Sequence, residues 1–295
     1  MSYRTAILCT SALTYKKMNT LCHIIWNPDT SPFSIFGFEV RYYSLCWVIS
    51  LLVGYHLVHY LYKKQNVKEE LFEPLFMYSF IGIIVGARLG HCLFYEPEYY
   101  LNNITEMFLP IKITPYGWKF IGYQGLASHG GTIGIIIALI LYRYKTKLSI
   151  RWVFDNICIA TPLAVSFIRI GNFMNSEILG CVTDSPLGII FAQVDNVPRY
   201  PAQLYEAIAY IVIFIGGWIL YKKYPQLVGT GFNFGYCLLT IFTFRFFIEF
   251  LKEVQVEFEQ GMTLDMGQWL SIPFIIIGAV SFINGIRILK SKKAA

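Results

Sequence analysis

Apolar runs of close to 20 residues recur along this 295-residue chain and limit the folds that it can adopt. A helix needs about 20 apolar residues to cross the hydrocarbon core of a bilayer. The composition supports the same conclusion, because 56% of the residues are hydrophobic and only 14% are charged, against a usual charged share of about 25%. The sequence therefore predicts an all-α, polytopic membrane protein.

Seven stretches have the length and character of transmembrane helices. Polar residues or helix breakers separate each stretch from the next. The predicted spans are about residues 42–62, 74–95, 126–142, 153–174, 202–221, 231–251 and 266–289.

The basic residues predict the orientation of these spans. Clusters of Lys and Arg follow the first, third, fifth and seventh spans, within residues 63–68, 143–151, 222–223 and 287–293. All four clusters fall on one side of the membrane, which should be cytoplasmic. We therefore expect the N-terminus outside and the C-terminus in the cytoplasm. The net charge is +6, and its distribution along the chain is more informative than its sum. No nucleic-acid partner is expected.

Three segments are predicted to lie outside the hydrocarbon core. Residues 26–40 contain several helix breakers and are interpreted as irregular or interfacial. Residues 96–123 are rich in Pro, Trp and Tyr, which favours an interfacial arm. Residues 175–201 form the largest polar insertion, and we expect a small external cap there that includes a hairpin.

The chain otherwise reads as one domain. Residues 1–17 are interpreted as an extension ahead of an alternative start at Met18, and residues 18–295 as a single transmembrane helical domain. The seven cysteines include no C-x-x-C pair, which argues against a disulfide framework or a zinc site. No metal or organic cofactor is expected.

The most informative polar stretch is R-I-G-N-F-M-N-S-E-I-L-G, at residues 169–180. Charged and amide side chains are costly within a membrane, so their concentration at the end of a span indicates a function. At helical spacing, Arg169, Asn172 and Glu177 fall near one face. A guanidinium fork beside amide donors suits a phosphate oxyanion. The alternative is a helix end sealed by interhelical hydrogen bonds.

Several polar residues are predicted to share one depth in the membrane. Arg88, Arg169 and Arg245 each lie about 15 residues outward from the cytoplasmic end of a span, or roughly 20 Å from the inner face. Four more polar residues lie near the outer ends of other spans: Tyr43, His129, Gln203 and Glu206. This alignment predicts a site in the external leaflet.

His129 opens the block H-G-G-T-I-G and has two interpretations. A histidine there can transfer a proton near neutral pH, or it can simply be hydrogen-bonded within the bundle. For the glycines of the block, Gly130, Gly131 and Gly134, close helix packing is favoured.

Two arginines also have structural alternatives. Arg245 lies one helical turn before Glu249, so it either forms an intrahelical ion pair or faces a polar cavity, and the cost of a membrane charge favours the cavity. Arg88 either belongs to the site or pairs structurally with Glu96 or Glu177.

Together these groups suggest a class of chemistry. They form neither a Ser-His-Asp set nor a metal-binding spacing, so hydrolysis by a protein nucleophile is disfavoured. They suit binding of a phosphodiester headgroup and stabilisation of a departing phosphate. The rival interpretation is a lipid or anion transporter that uses the same arginines, although no internal repeat of the usual transporter kind is visible.

Five ordered blocks resemble a known family, the bacterial prolipoprotein diacylglyceryl transferases. Residues 169–180 resemble its signature G-R-x-G-N-F-x-N-x-E-x-x-G. The other blocks are S-H-G-G-T-I-G, R-Y-P-A-Q-L-Y-E, F-R-F-F-I-E-F and M-G-Q-W-L-S-I-P. V-R-Y-Y-S, at residues 40–44, also resembles the family's R-W-Y-G. Ser44 and Ser176 stand where the family commonly has Gly, and Tyr200 stands where it commonly has His.

The resemblance implies an activity in the bacterial inner membrane. The diacylglyceryl group of phosphatidylglycerol would pass to the lipobox cysteine of a preprolipoprotein signal peptide, forming a thioether and releasing glycerol phosphate. The implied catalytic residues are His129, Arg245 and Tyr43, and the implied lipid-binding residues are Arg169, Asn172, Glu177 and Gly180. Their predicted depth in the membrane adds Arg88, Gln203 and Glu206 to the lipid-binding residues. His129 would accept the thiol proton, unless the arginines lower the thiol pKa enough without it.

Overall fold

Helices dominate the architecture. The computed structural model describes residues 23–35, 38–94, 96–109, 111–115, 117–120, 125, 127–254 and 262–294. The predicted extension of residues 1–17 and the alternative start at Met18 lie outside these residues. The helices in the described part are α1 (Tyr42–Lys64), α2 (Glu69–Phe94), α3 (Pro97–Asn102), α4 (Ile104–Phe108), α5 (Ser128–Thr146), α6 (Ile150–Met174), α7 (Ala202–Lys223), α8 (Phe232–Ile248) and α9 (Met266–Ala294).

Within the same described residues, short strands form three small sheets. The strands are β1 (Ile24–Trp26), β2 (Phe33–Ile35), β3 (Phe38–Val40), β4 (Ile111–Thr114), β5 (Gly117–Phe120), β6 (Ile189–Phe191) and β7 (Pro198–Arg199). Strands β2 and β3 pair with each other, as do β4 and β5, and the third sheet has the order β1-β6-β7.

Six helices in the described part are long and apolar enough to cross a membrane: α1, α2, α6, α7, α8 with its extension to Leu251, and α9. This finding confirms the prediction of an all-α, polytopic membrane protein. The predicted third span corresponds to α5, a helix of 19 residues that is not among the six. Its role as a span stays a prediction, as does the orientation of the bundle.

The chain divides into two compact units. The first unit combines Met1–Val58 with Phe154–Ala295, and the second consists of His59–Val153. The prediction of a single domain over residues 18–295 stays a prediction.

In the second unit, α2 and α5 approach closely because glycines line their contact. A Cβ on Gly134 would lie 2.9 Å from Gly86 Cα and 3.0 Å from the carbonyl carbon of Gly82, and a Cβ on Gly130 would collide with Gly86 in the same way. Gly131 has its nearest neighbour at an ordinary 3.5 Å. The packing role is therefore confirmed for Gly130 and Gly134, since only a glycine lets two helix backbones meet at this distance.

The predicted arm, residues 96–123, contains two short helices and a hairpin. Helices α3 and α4 precede strands β4 and β5, which pair from Ile111↔Phe120 to Thr114↔Gly117. Its apolar side chains are widely exposed, including Leu101, Ile104, Phe108, Ile113 and Trp118. Exposed aromatic and aliphatic groups of this kind suit the interface of a bilayer, and the interfacial location stays a prediction.

In the first unit, the polar insertion at residues 175–201 folds into a cap that includes the predicted hairpin of β6 and β7. Strand β1 joins the cap by pairing in parallel with β6. Residues 26–40 are therefore not simply irregular as predicted: they include the end of β1 and the antiparallel pair β2–β3. The partner of β1 lies far away in sequence, so no local pattern reveals this strand.

Aromatic and aliphatic packing joins the cap to the end of α6. Phe173, Leu179, Ile189 and Phe191 form a buried cluster, and Trp26 packs against it. The rings of Trp26 and Phe173 lie 4.4 Å apart between centroids, and Trp26 Nε1 donates a hydrogen bond of 3.1 Å to the Phe173 carbonyl. The sequence that follows Arg169 is thereby held in a fixed position.

A buried carboxylate fixes the start of α8. Asp155 on α6 accepts hydrogen bonds from the backbone N–H groups of Gly229 (2.8 Å), Gly231 (2.9 Å) and Phe234 (2.8 Å). The first turn of a helix leaves such N–H groups without intrahelical partners. Asp155 therefore anchors α6 to α8, the two helices that carry Arg169 and Arg245.

Candidate active site

The candidate site begins where α6 ends and the chain folds back on itself. Two residues of this turn, Ser176 and Ile178, adopt left-handed backbone conformations with φ of 53° and 57°. Such conformations are strained for residues other than glycine, and strain of this kind is concentrated at functional sites. The Glu177 N–H donates to the Asn172 carbonyl at 2.9 Å, which returns the Glu177 side chain to the last turn of α6.

The turn assembles a continuous chain of polar groups. Arg169 Nη1 donates to Asn172 Oδ1 at 3.3 Å, and Asn172 Nδ2 donates to Glu177 Oε2 at 3.1 Å. Asn175 Nδ2 donates to the second carboxylate oxygen at 3.0 Å, and Gln203 Nε2 donates to the Glu177 carbonyl. The structure thus brings together four of the residues predicted to bind lipid.

Glu206 extends this chain into the interior of the bundle. It is fully buried, and its Oε2 lies 3.2 Å from Arg169 Nε. Its Oε1 lies 3.2 Å from Lys252 Nζ and accepts a hydrogen bond of 3.4 Å from the Tyr210 hydroxyl. The buried charge of Glu206 is thus balanced by two cations, although Oε2 and Arg169 Nε form an ion pair without a hydrogen bond.

Lys252 was not identified from the sequence. Its Nζ also lies 3.1 Å from Glu249 Oε2. Glu249 therefore pairs with Lys252, and the alternative of an intrahelical ion pair with Arg245 is wrong. The available signal was the i, i+3 spacing of Glu249 and Lys252 at the end of a span, which favours an ion pair over a topology-setting lysine.

Arg245 is half-buried and forms no hydrogen bond or ion pair with the described residues. Arg245 nevertheless lies in the neighbourhood of Arg169. The Tyr210 hydroxyl interacts with the positive charges of both guanidinium groups. Arg169 and Arg245 therefore present cationic groups to the same part of the first unit.

Tyr43 and Gly180 are placed by close contacts with neighbouring backbone. A Cβ on Gly171, two residues after Arg169, would lie 3.0 Å from the Tyr43 ring, so Tyr43 packs directly against the last turns of α6. A Cβ on Gly180 would lie 2.6 Å from Tyr200 Cβ and 2.9 Å from the Leu251 carbonyl oxygen. Gly180 thus lets the cap strands approach each other, which is a structural contribution to the site.

Arg199 is a second residue that sequence reasoning missed. Its guanidinium lies 2.6 Å from Asp195 Oδ2 and 2.8 Å from Glu253 Oε2. Burial alone would lower the pKa of Arg199, but the two carboxylates raise it above its ordinary value. This pair of salt bridges joins the cap hairpin to the segment that follows α8.

The second unit contains Arg88 and His129. His129 is the second residue of α5, and its side chain lies outside the described part, so its role as a base stays a prediction. The Arg88 side chain is buried and donates to the backbone carbonyls of Met107 at 3.1 Å and Glu106 at 2.5 Å. The Tyr100 ring lies 4.7 Å from the guanidinium. These contacts favour Arg88 as a structural link between α2 and the arm, although its lipid-binding role stays a prediction.

Neither structural partner proposed for Arg88 accounts for these contacts. Glu96 lies 3.5 Å from His91 Nε2, and Glu177 belongs to the polar chain of the first unit. The bonds from Arg88 go instead to backbone carbonyls, which a residue pattern cannot specify.

Glu106 makes the arm sensitive to acid. Hydrogen bonds from the Tyr99 hydroxyl (2.6 Å) and the Ile113 N–H (2.7 Å) hold the pKa of Glu106 below its ordinary value. A lowered pKa stabilises the folded arm above the ordinary value of about 4.3, and this stabilisation disappears as the pH falls through the lowered pKa. We expect the hydrogen-exchange protection of residues 104–115, expressed relative to the intrinsic exchange rate at each pH, to fall in the wild type as the pH drops below about 4.3. In Glu106→Gln this protection should be low at neutral and at acidic pH, whereas the exposed control Glu98→Gln should match the wild type. Equal protection in Glu106→Gln and the wild type at neutral pH would contradict this role.

Comparison with known proteins places the chain in a family. The sequence profile described as prolipoprotein diacylglyceryl transferase matches residues 31–284. A phosphatidylglycerol–prolipoprotein diacylglyceryl transferase of Bacteroides fragilis is 57% identical over 261 residues, covering 88% of this chain and 94% of the relative. Proteins of the same description from Tolumonas auensis and Chloroherpeton thalassium are 40% and 37% identical, covering 87% and 94% of this chain and 95% and 100% of the relatives.

The matched region includes every predicted site residue, from Tyr43 to Arg245. It also includes the cap, the first five apolar helices and most of α9. The similarity therefore extends to the whole assembly that positions the polar chain, and this chain belongs to the prolipoprotein diacylglyceryl transferase family.

Proposed function

We propose that this protein transfers the diacylglyceryl group of phosphatidylglycerol to a prolipoprotein. Family membership supports the reaction, and one structural observation supports the site: Arg169 is anchored at the end of a membrane helix by Asn172 and Glu206. A fixed guanidinium in a site with little water binds a phosphodiester strongly, because charge-assisted hydrogen bonds strengthen at low dielectric.

The reaction is a substitution at a carbon atom of the lipid. The cysteine sulfur of the prolipoprotein attacks the terminal glycerol carbon that carries the phosphate, and a C–S bond forms. The bond between that carbon and the phosphate oxygen breaks, and glycerol phosphate leaves with the electron pair. The thiol proton must be removed, because the thiolate is the nucleophile and a free thiol has a pKa of about 8.5.

Different residues perform the separate tasks of this reaction. Arg169 and Arg245 bind the phosphate and stabilise the negative charge that develops as it departs. Asn172 holds the Arg169 guanidinium at a fixed angle, and Glu177 in turn holds Asn172. His129 accepts the thiol proton. Preorganisation of this kind stabilises the transition state because the dipoles need not reorient during the reaction.

The finer assignments follow from the same reaction. The acceptor is the lipobox cysteine in the signal peptide of a preprolipoprotein, and the membrane is the bacterial inner membrane. The cap faces outward, because the basic clusters at residues 63–68, 143–151 and 222–223 favour the cytoplasm. The substrate cysteine and the phosphate then meet in the external leaflet.

Mass spectrometry of a reconstituted reaction tests the function. Purified protein is incubated with phosphatidylglycerol and a synthetic lipobox peptide, and the expected product is the peptide with one diacylglyceryl group on its cysteine. Replacement of that cysteine by serine should abolish the product. Transmembrane flux of phosphatidylglycerol without any adduct would instead support a transporter.

A further inference from the structure

Lys252 is almost completely buried, and it lies where the chain leaves α8 and runs antiparallel to the cap at Gly180. Successive side chains of an extended segment point to opposite sides. Accordingly Glu253 pairs with Arg199 of the cap at 2.8 Å, whereas Lys252 points the other way and contacts Glu206 and Glu249. Ion pairs on both faces of this extended segment therefore hold the Lys252 ammonium group in place.

We propose that Lys252 is a positioning residue that keeps the Arg169 guanidinium available for phosphate by occupying one oxygen of Glu206. This proposal deepens the proposed function and rests on it. Each oxygen of Glu206 faces a different cation: Oε1 lies 3.2 Å from Lys252 Nζ, and Oε2 lies 3.2 Å from Arg169 Nε. Arg169 therefore meets Glu206 through a single oxygen at its Nε edge.

The balance of charge explains why Lys252 is needed. Arg169 and Lys252 carry two positive charges, and Glu206 and Glu249 carry two negative charges. Without Lys252, both oxygens of Glu206 would turn to Arg169, because carboxylates and guanidinium groups prefer a bidentate pair. Such a pair would occupy donors of Arg169 that phosphate requires. Lys252 thus acts on the substrate through Glu206 and Arg169, without touching the lipid itself.

Lys252→Met tests the proposal, because methionine fills a similar volume without charge. In nanodiscs that contain phosphatidylglycerol, native mass spectrometry should show lipid binding weakened by about 10- to 100-fold, the range expected for coupled neighbours. Transfer should fall mainly through a higher KM. Lys252→Arg should retain most of the binding. Lys290→Met, which removes an exposed lysine at the end of α9, is the matched control and should behave as the wild type.

A double-mutant cycle separates positioning from general stabilisation. If Lys252 acts through Glu206, its removal has no further effect once Glu206 is Gln, because a neutral amide does not compete for the guanidinium. Glu206→Gln and the double variant Lys252→Met with Glu206→Gln should then bind phosphatidylglycerol equally well. Weaker binding by the double variant would overturn the proposal, as would wild-type binding by Lys252→Met.

The cycle also applies if Lys252→Met does not fold, because it compares only the two variants in which position 206 is neutral. Binding and transfer are measured on the same samples. A wild-type protein that binds phosphatidylglycerol without forming an adduct would refute the proposed reaction, and the binding data would still decide the role of Lys252.

Discussion

Arg169→Ala is expected to reduce diacylglyceryl transfer by about 10³-fold, the effect of removing a main stabiliser of transition-state charge. The substitution removes the group that Asn172 and Glu206 hold in place. It should also weaken binding of phosphatidylglycerol, since the phosphate already carries a charge in the ground state. Initial rates of adduct formation at several lipid concentrations measure both effects.

A loss of stability must be separated from the loss of chemistry in this variant. Without Arg169, the buried Glu206 keeps Lys252 as its one cationic partner among the described residues. Partial loss of pairing at a buried charge destabilises a fold by a few kcal/mol. We expect Arg169→Ala to lower the melting temperature in detergent. Adding Glu206→Gln should recover the melting temperature, because the carboxylate that lost its partner is gone, while transfer stays low.

The outcome that contradicts this role is specific. If Arg169→Ala with Glu206→Gln regained both stability and near-normal turnover, Arg169 would be a structural counter-ion of Glu206. The helix end would then be sealed by interhelical hydrogen bonds, which is the alternative that the sequence left open.

The apolar runs and the cost of membrane charges were sufficient to predict the six membrane-length helices of the described part and the polar chain at the end of α6. Arg169, Asn172 and Glu177 were expected to share a face, and hydrogen bonds join them. These features are local: helical spacing over a few residues decides them. The packing glycines Gly130 and Gly134 were predictable for the same reason, since small residues recur at helical spacing.

Contacts between distant parts of the chain could not be predicted in this way. Strand β1 pairs with β6, which follows it by more than 150 residues, and three residues are too few for a recognisable alternation. Lys252 resembled one of the many lysines that end a span. Its burial depends on Glu206, which α7 supplies, so no pattern near Lys252 reveals the pair. Arg88 donates hydrogen bonds to backbone carbonyls. Every residue has a carbonyl, so the sequence does not reveal which of them a distant arginine contacts.

Arg245→Ala should give the cleanest separation of function from folding in this protein. Arg245 makes no hydrogen bond or ion pair within the described residues, so its removal leaves no buried carboxylate without a partner. We expect the melting temperature to stay within about 1 °C of the wild type, as for a substitution of about 0.5 kcal/mol or less. Transfer should nevertheless fall by about 10²- to 10³-fold.

Two further variants determine what Arg245 contributes. Arg245→Lys keeps the charge but loses the planar fork, so an intermediate rate would indicate that the geometry of phosphate binding matters as well as the charge. Phe247→Ala, two residues further along α8 and mostly exposed, controls for the removal of bulk from this helix. A half-buried arginine without a partner among the described residues is costly in a membrane, and the proposed binding of the substrate phosphate would offset that cost. Normal turnover in Arg245→Ala would refute that explanation and leave Arg169 as the main phosphate ligand of the first unit.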